Sequence, residues 1–214
     1  MILMSVIILG NQALAETMNQ DNNGTSSMIL TREEYVQSLA EERGITYEEA
    51  DLLEERETQE YLRNKYGNAR ALLEILPKGE IVYRQINQPF EVGSSTFKST
   101  IMITLHVKYD RSYYPSQGTC QKFVQILDKG VVATGVGTAT FEKSAFSAVI
   151  TNESTYGNEI YMMLSENVQH VVSKSSGGAA EAAGFSISNQ TTTTLYCRKF
   201  ITKNYTFYSN WDLN

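Results

Sequence analysis

The chain has two histidines, His106 and His170, and the first stands four residues before Asp110 in the stretch TIMITLHVKYD. An imidazole held by a carboxylate makes a general base with its orienting partner. On a strand, each residue rises ~3.3 Å, so His106 and Asp110 share a face with Cα atoms roughly 13 Å apart. They make no dyad by themselves. His170 belongs to a different strand and meets His106 only across a sheet.

Other chemistries leave fewer traces. The chain has no HExxH, no GxSxG, no phosphate-binding GxxxxGK[ST] and no CxxC. The run GVGTAT at 135–140 opens like a dinucleotide fingerprint, but it lacks the third glycine and the strand-to-helix setting. No spacing of His, Cys or carboxylates matches a zinc or calcium site, so neither metal nor cofactor is expected. Glycoside hydrolysis needs only two carboxylates, and Glu91, Asp110, Glu142, Glu159 and Glu166 are available. No catalytic residue is assigned.

The net charge is −6. The segment from Thr31 to Tyr66, with eleven acidic and five basic residues, carries all of it. There is no basic stripe, which makes nucleic acid a poor candidate partner, and none is expected.

Aromatic side chains are the remaining candidates for contact with a partner. Tyr113 and Tyr114 follow the clean strand in what reads as a loop. Tyr208 and Trp211 close a C-terminal run that also holds Tyr196, Phe200, Tyr205 and Phe207. The binding candidates are therefore Tyr113, Tyr114, Tyr208 and Trp211, with His106 on an outward polar face.

These side chains need elements to carry them. Phe97–Tyr109 alternates: Ile101, Ile103, Leu105, Val107 and Tyr109 take one face, and Met102, Thr104, His106, Lys108 and Asp110 take the other. Further period-two runs follow from residue 69 onward. Asp128-Lys129-Gly130 reads as a turn, glycines 130, 135 and 137 as a bulged or bent strand, and SKSSGGAAEAAG as a loop. Upstream, Thr31 with Glu34 and Thr46 with Glu49 are capping boxes, and Gly44 suits a left-handed stop. Two acidic helices, about 32–43 and 47–66, are expected to fold back on each other.

The first fifteen residues, an apolar run ending in Ala13-Leu14-Ala15, read as a secretory signal peptide without the usual basic start. Residues 16–30 read as a flexible leader. In an exported chain, Cys120 and Cys197 are expected to pair as a disulfide. After cleavage no segment is long and apolar enough to span a bilayer.

The phrase TREEYVQSLAEERGITYEEA behind such an N-terminus, followed by a β half containing GGAAEAAGFSIS and a Tyr/Phe-rich tail, resembles small secreted proteins of unknown function from Gram-positive bacteria. The resemblance implies an exported β protein and supplies no catalytic residues. The expected fold is mainly β: an antiparallel sandwich or distorted barrel over 69–214, preceded by an acidic helical hairpin over 31–67. The expected role is extracellular recognition of a glycan, cell-wall component or protein. The alternatives are a hydrolase of polysaccharide or peptidoglycan using a carboxylate pair, and a membrane-acting β toxin.

Overall fold

A computed structural model describes residues 24–66, 80–114, 118–141, 146–152 and 157–209 of the chain. In chain order the elements are β1 (Ser26–Leu30), α1 (Arg32–Arg43), α2 (Tyr47–Tyr66), β2 (Glu80–Ser94), β3 (Phe97–Tyr114), β4 (Gly118–Gly135), β5 (Thr138–Phe141), β6 (Phe146–Thr151) and β7 (Glu159–Ser173). A single 3₁₀ turn (Lys174–Ser176), α3 (Gly177–Ala182), β8 (Ser186–Gln190) and β9 (Thr194–Tyr208) complete the described chain.

The strands build two open antiparallel sheets. One runs β1-β2-β3-β4; the other runs β5-β7-β9-β8, with β6 beside β5 along the same edge of β7. The arrangement is sandwich-like, because one core receives the inner faces of both sheets. Ile101, Ile103, Leu105, Val107 and Tyr109 of β3 meet Ile160, Met162, Leu164 and Val168 of β7 in it. Alternation puts the first five on one side of the pleat, and burying them drives the sheets together.

Four local readings of the sequence are corrected. Residues 26–30, expected in the flexible leader, form β1 and pair with β2 from Ser26↔Asn87 to Leu30↔Tyr83. A five-residue edge strand whose Met28 and Ile29 stay exposed has too little alternation to announce itself. Tyr113 and Tyr114 continue β3 rather than a loop. Asp128-Lys129-Gly130 does not turn the chain: β4 runs straight through, and Lys129 is the extra residue where the register steps from Thr104↔Gly130 to Leu105↔Asp128. Gly130, at φ 106, takes the backbone angle that this bulge needs. The Gly/Ala/Ser segment coils into the 3₁₀ turn and α3, with Ala180 buried against the core.

At the N-terminal end, Thr31 caps α1 with both hydrogen bonds of the box, and Gly44 closes it at φ 65. Thr46 and Glu49 exchange the equivalent bonds at the start of α2. Tyr35, Val36 and Leu39 of α1 enter a second, smaller apolar cluster with Leu30, Tyr83 and Leu127. These contacts place the helices against the outer face of the first sheet. The apolar run 1–15, the start of the leader, the run ALLEIL with its Pro77 turn, and Trp211 lie outside the described residues.

Candidate functional site

The outer face of β3 carries Met102, Thr104, His106, Lys108 and Asp110, which the alternation assigns to solvent. It is wet only at its start. Met102 is exposed and Thr104 half-buried, but His106 is 7% exposed and Lys108 and Asp110 are 1% exposed each. The outward position expected for His106 is thereby corrected. The cause is α1 and α2, which bring their own polar side chains onto this face.

His106 Nδ1 lies 2.7 Å from Ser38 Oγ of α1, and Nε2 lies 2.9 Å from Gln85 Oε1 of β2. The Gln85 amide nitrogen donates to Asn87 Oδ1 at 3.0 Å, so its oxygen faces the ring. Nε2 therefore donates, and the single Ser38 hydroxyl proton lies between two acceptors, Nδ1 and the Glu34 carbonyl oxygen 2.9 Å away. This is the neutral imidazole. Burial first, and the Lys129 ammonium after it, hold its pKa down to about 4. A serine hydroxyl beside an imidazole is the pairing of a nucleophile and its base, but this hydroxyl is also bonded to the Glu34 carbonyl of its own helix. Ser38 is itself buried, so the pair has no open path to a substrate. Its chemistry is to fix α1 on the sheet.

Next along the face, Lys108 Nζ lies 3.0 Å from Glu54 Oε1 of α2 and donates to Thr58 Oγ1 at 3.1 Å. The same Glu54 oxygen accepts from the Thr58 hydroxyl and the Tyr83 hydroxyl, each at 2.7 Å. Its other oxygen accepts from Arg32 Nε at 3.2 Å, and Arg32 also pairs with Asp51. Burial pushes the Glu54 carboxyl up, but the hydrogen bonds from Thr58 and Tyr83 and the Lys108 charge outweigh it and hold the group below the usual carboxylate range. Burial and the adjacent Glu54 carboxylate push the Tyr83 hydroxyl up. At the far end, Asp110 accepts from Tyr61 at 2.7 Å and pairs with Lys65. Three buried charges, Glu54, Lys108 and Asp110, persist in so dry a setting only because each is hydrogen-bonded and matched.

Sequence reasoning missed this cluster because it looked for an apolar stripe on α2. The inward stripe is Ala50, Glu54, Thr58, Tyr61 and Lys65, at spacings of three and four, and it is mostly polar. Glu54, four residues before Thr58 on one helix face, is the signal that was there to find.

His170 occupies a separate place. It is fully buried on the inner face of β7, with Ser99 Oγ on Nε2 and the Val136 carbonyl 2.9 Å from Nδ1. Phe97 and Phe185 pack against its ring edge-on at 5.1 and 5.2 Å. His170 thus faces the core between the sheets and His106 faces the helices beyond the first sheet, so the two do not meet. Cys197 is a free, buried thiol opposite His170, and burial raises its pKa. The Cys120 side chain lies outside the described residues, and no disulfide is seen among those described.

Of the carboxylates considered for hydrolysis, Asp110 is sealed under α2, Glu91 pairs with Lys98, and Glu159 accepts from Asn152 at 2.6 Å. Glu166 is buried in β7, and Glu142 lies outside the described residues. Among the described residues no group of His, Cys, Asp or Glu is arranged to hold a metal ion.

Among the described residues, nothing covers the outer face of the second sheet around Val149, Tyr161, Met163 and Tyr208. Val149 of β6 stands directly opposite Tyr161 of β7, and Tyr208 of β9 stands opposite Glu159. Val149, Tyr161, Met163 and Tyr208 are all exposed. On an antiparallel pair, diagonal neighbours lie ~7–8 Å apart, so Tyr161 and Tyr208 share one patch. Of the binding candidates, only Tyr208 is placed here, with 52% of its surface exposed. The side chains of Tyr113 and Tyr114, and all of Trp211, lie outside the described residues.

No family model, curated protein or solved structure matches the chain. No helix among the described residues is long and apolar enough to cross a membrane.

Proposed function

We propose that this is an exported, non-catalytic recognition protein that engages a cell-surface partner through the outer face of its second sheet. The observation that carries this reading is the gathering of Val149, Tyr161, Met163 and Tyr208 on one exposed side of a continuous sheet. Exposed tyrosines supply a large contact area at small cost in side-chain freedom, and interfaces are enriched in them. The burial of Ser38, His106 and His170 supports the same reading, since the groups best suited to proton transfer face inward. The likeness of plan to small secreted proteins fits an extracellular setting.

The test is binding to immobilised cell-surface fractions by the wild-type chain and by Tyr161→Ala/Tyr208→Ala. Loss of binding in the double variant, with unchanged circular dichroism, supports the assignment. Undiminished binding moves the site elsewhere, and turnover of a polymer by the wild type replaces the reading with a hydrolase.

A further inference from the structure

The seam between the helices and the first sheet differs in kind from the core between the sheets. The two apolar clusters share no buried residue. Five of the eight buried members of the smaller cluster, Tyr35, Val36, Leu39, Ala40 and Ala50, belong to the helices themselves. The sheet supplies Leu30, Tyr83 and Leu127. The other side chains of the sheet that meet the helices are polar: Gln125 accepts from the Tyr35 hydroxyl at 3.0 Å, beside the His106, Lys108 and Asp110 contacts already described. Lifting α1 and α2 would therefore bare little apolar surface on the sheet and leave the larger core untouched.

The seam is also where titratable groups gather. Besides Glu54 with Lys108 and Lys65 with Asp110, Glu41 of α1 pairs with Lys129 of β4, and Glu57 of α2 accepts from Gln125 at 3.0 Å. His106 is the member that charges first on acidification. Lys129 faces it from β4, Glu34 and Glu41 face it from α1, and β2 offers only the neutral Gln85. Lys108, two residues along its own strand, is already matched by Glu54. An imidazolium at this place is buried with no carboxylate in contact, which is costly until the helices leave and water enters. With its proton taken up near 6.5 when uncovered and only about 4 when covered, His106 favours the uncovered state about twentyfold more at pH 5 than at pH 7. Protonation of the seam carboxylates adds to this at lower pH. The larger core has His170 and Glu166 as its own buried titratable groups, both on β7 and away from the helices.

We infer that α1 and α2 form a detachable cover, released from the outer face of the first sheet in mild acid with His106 as the trigger, while the two sheets stay folded. Release turns a closed polar face, with Gln85, His106, Lys108, Asp110 and Gln125 on it, into an accessible one. The device does not depend on the recognition reading, and neither its success nor its failure bears on the patch of Tyr161 and Tyr208.

The experiment is hydrogen exchange on the full chain at pH 7, 6 and 5, read segment by segment after allowance for the intrinsic exchange rates. Protection in α1 and α2 should fall about twentyfold between pH 7 and pH 5, and β7 and β9 should keep theirs. His106→Gln should remove most of that fall. Equal losses in the helices and in β7 would mean that the molecule melts as one unit, and would overturn the inference. So would unchanged protection of the helices at pH 5, or a wild-type pH dependence in His106→Gln. Pepsin digestion of the wild-type chain at pH 4 gives a second readout that needs no variant. First cuts confined to residues 32–66, with β2 to β9 left as a resistant fragment, support the cover; first cuts spread through both sheets overturn it.

Discussion

His106 and Glu54 make the outer face of the first sheet sensitive to acid, and the direction follows from their protonation. The folded state holds His106 neutral down to about pH 4, whereas the unfolded chain takes up its proton near 6.5. The unfolded state therefore binds more protons below 6.5. Stability from this residue is complete above that pH and is lost as pH falls towards 4, by roughly 2–3 kcal/mol. Glu54 has a depressed pKa, so its contribution is present above the ordinary carboxylate value and disappears on further acidification. Urea titrations between pH 7 and 4 should show falling stability, and His106→Gln should flatten the upper part of that fall. A variant with the wild-type slope would show that another group carries it. Glu54→Gln at pH 7 strands the Lys108 ammonium and should cost about 3–5 kcal/mol in denaturant melts. Glu54→Leu with Lys108→Met should cost much less than either single change, because no buried charge is left alone. Little of this was legible beforehand. Alternation showed which side of β3 each residue takes, but a polar face looks the same in sequence whether water or a polar helix covers it.

At the scale of elements, α1 and α2 are fastened differently. α1 contributes Tyr35, Val36 and Leu39 to an apolar cluster. Among the described side chains of α2, only Ala50 and Glu54 are fully buried, and the helix holds the sheet through the ends of long side chains. Hydrogen exchange should therefore be faster in the C-terminal half of α2 than in α1 or β3, since local opening follows the density of buried contacts. Equal protection in all three would contradict this fastening. The stops differ in kind as well. Gly44 sits at φ 65 with open space where a Cβ would go, so Gly44→Ala should cost about 1 kcal/mol from backbone angle alone. Gly137, at φ 71, would place a Cβ 2.3 Å from the Val171 carbonyl, and Gly137→Ala should cost more. Comparing their melting temperatures checks the order. The capping residues were readable because they act within three or four positions of themselves. Gly130 announced a bulged strand, but that Lys129 is the extra residue was not readable, because an extra residue is defined by its partner strand, which a linear reading does not see.

Across the whole molecule, the two sheets divide the work. The first spends its outer face on the helices, and among the described residues no helix covers that of the second. The sequence carried the β class and the core face of β3, because hydrophobic period is a local property. It did not carry the choice of exposed surface, which depends on which face another element happens to cover. Met163 was unremarkable as a letter in a strand, and Phe200 was one aromatic among several; they became a surface only once β7 and β9 were in register. The free thiol gives a measurement at this scale. Cys197 is buried and its pKa is raised, so its reaction with a thiol reagent should be slow in the native chain and should accelerate at the global unfolding midpoint. Mass spectrometry after alkylation would read it directly, and rapid native labelling of Cys197 would contradict its packing.

The matched charges between α2 and β3 also shape how such a chain can diverge. Oil-like contacts forgive drift, since one aliphatic residue stands in for another. A carboxylate locked to an ammonium tolerates no unilateral change. Among descendants of this chain, positions 54 and 108, and positions 65 and 110, are bound to vary jointly or stay frozen, and a lineage that exchanged the signs at 54 and 108 would have to replace Arg32 as well, since it shares the Glu54 carboxylate.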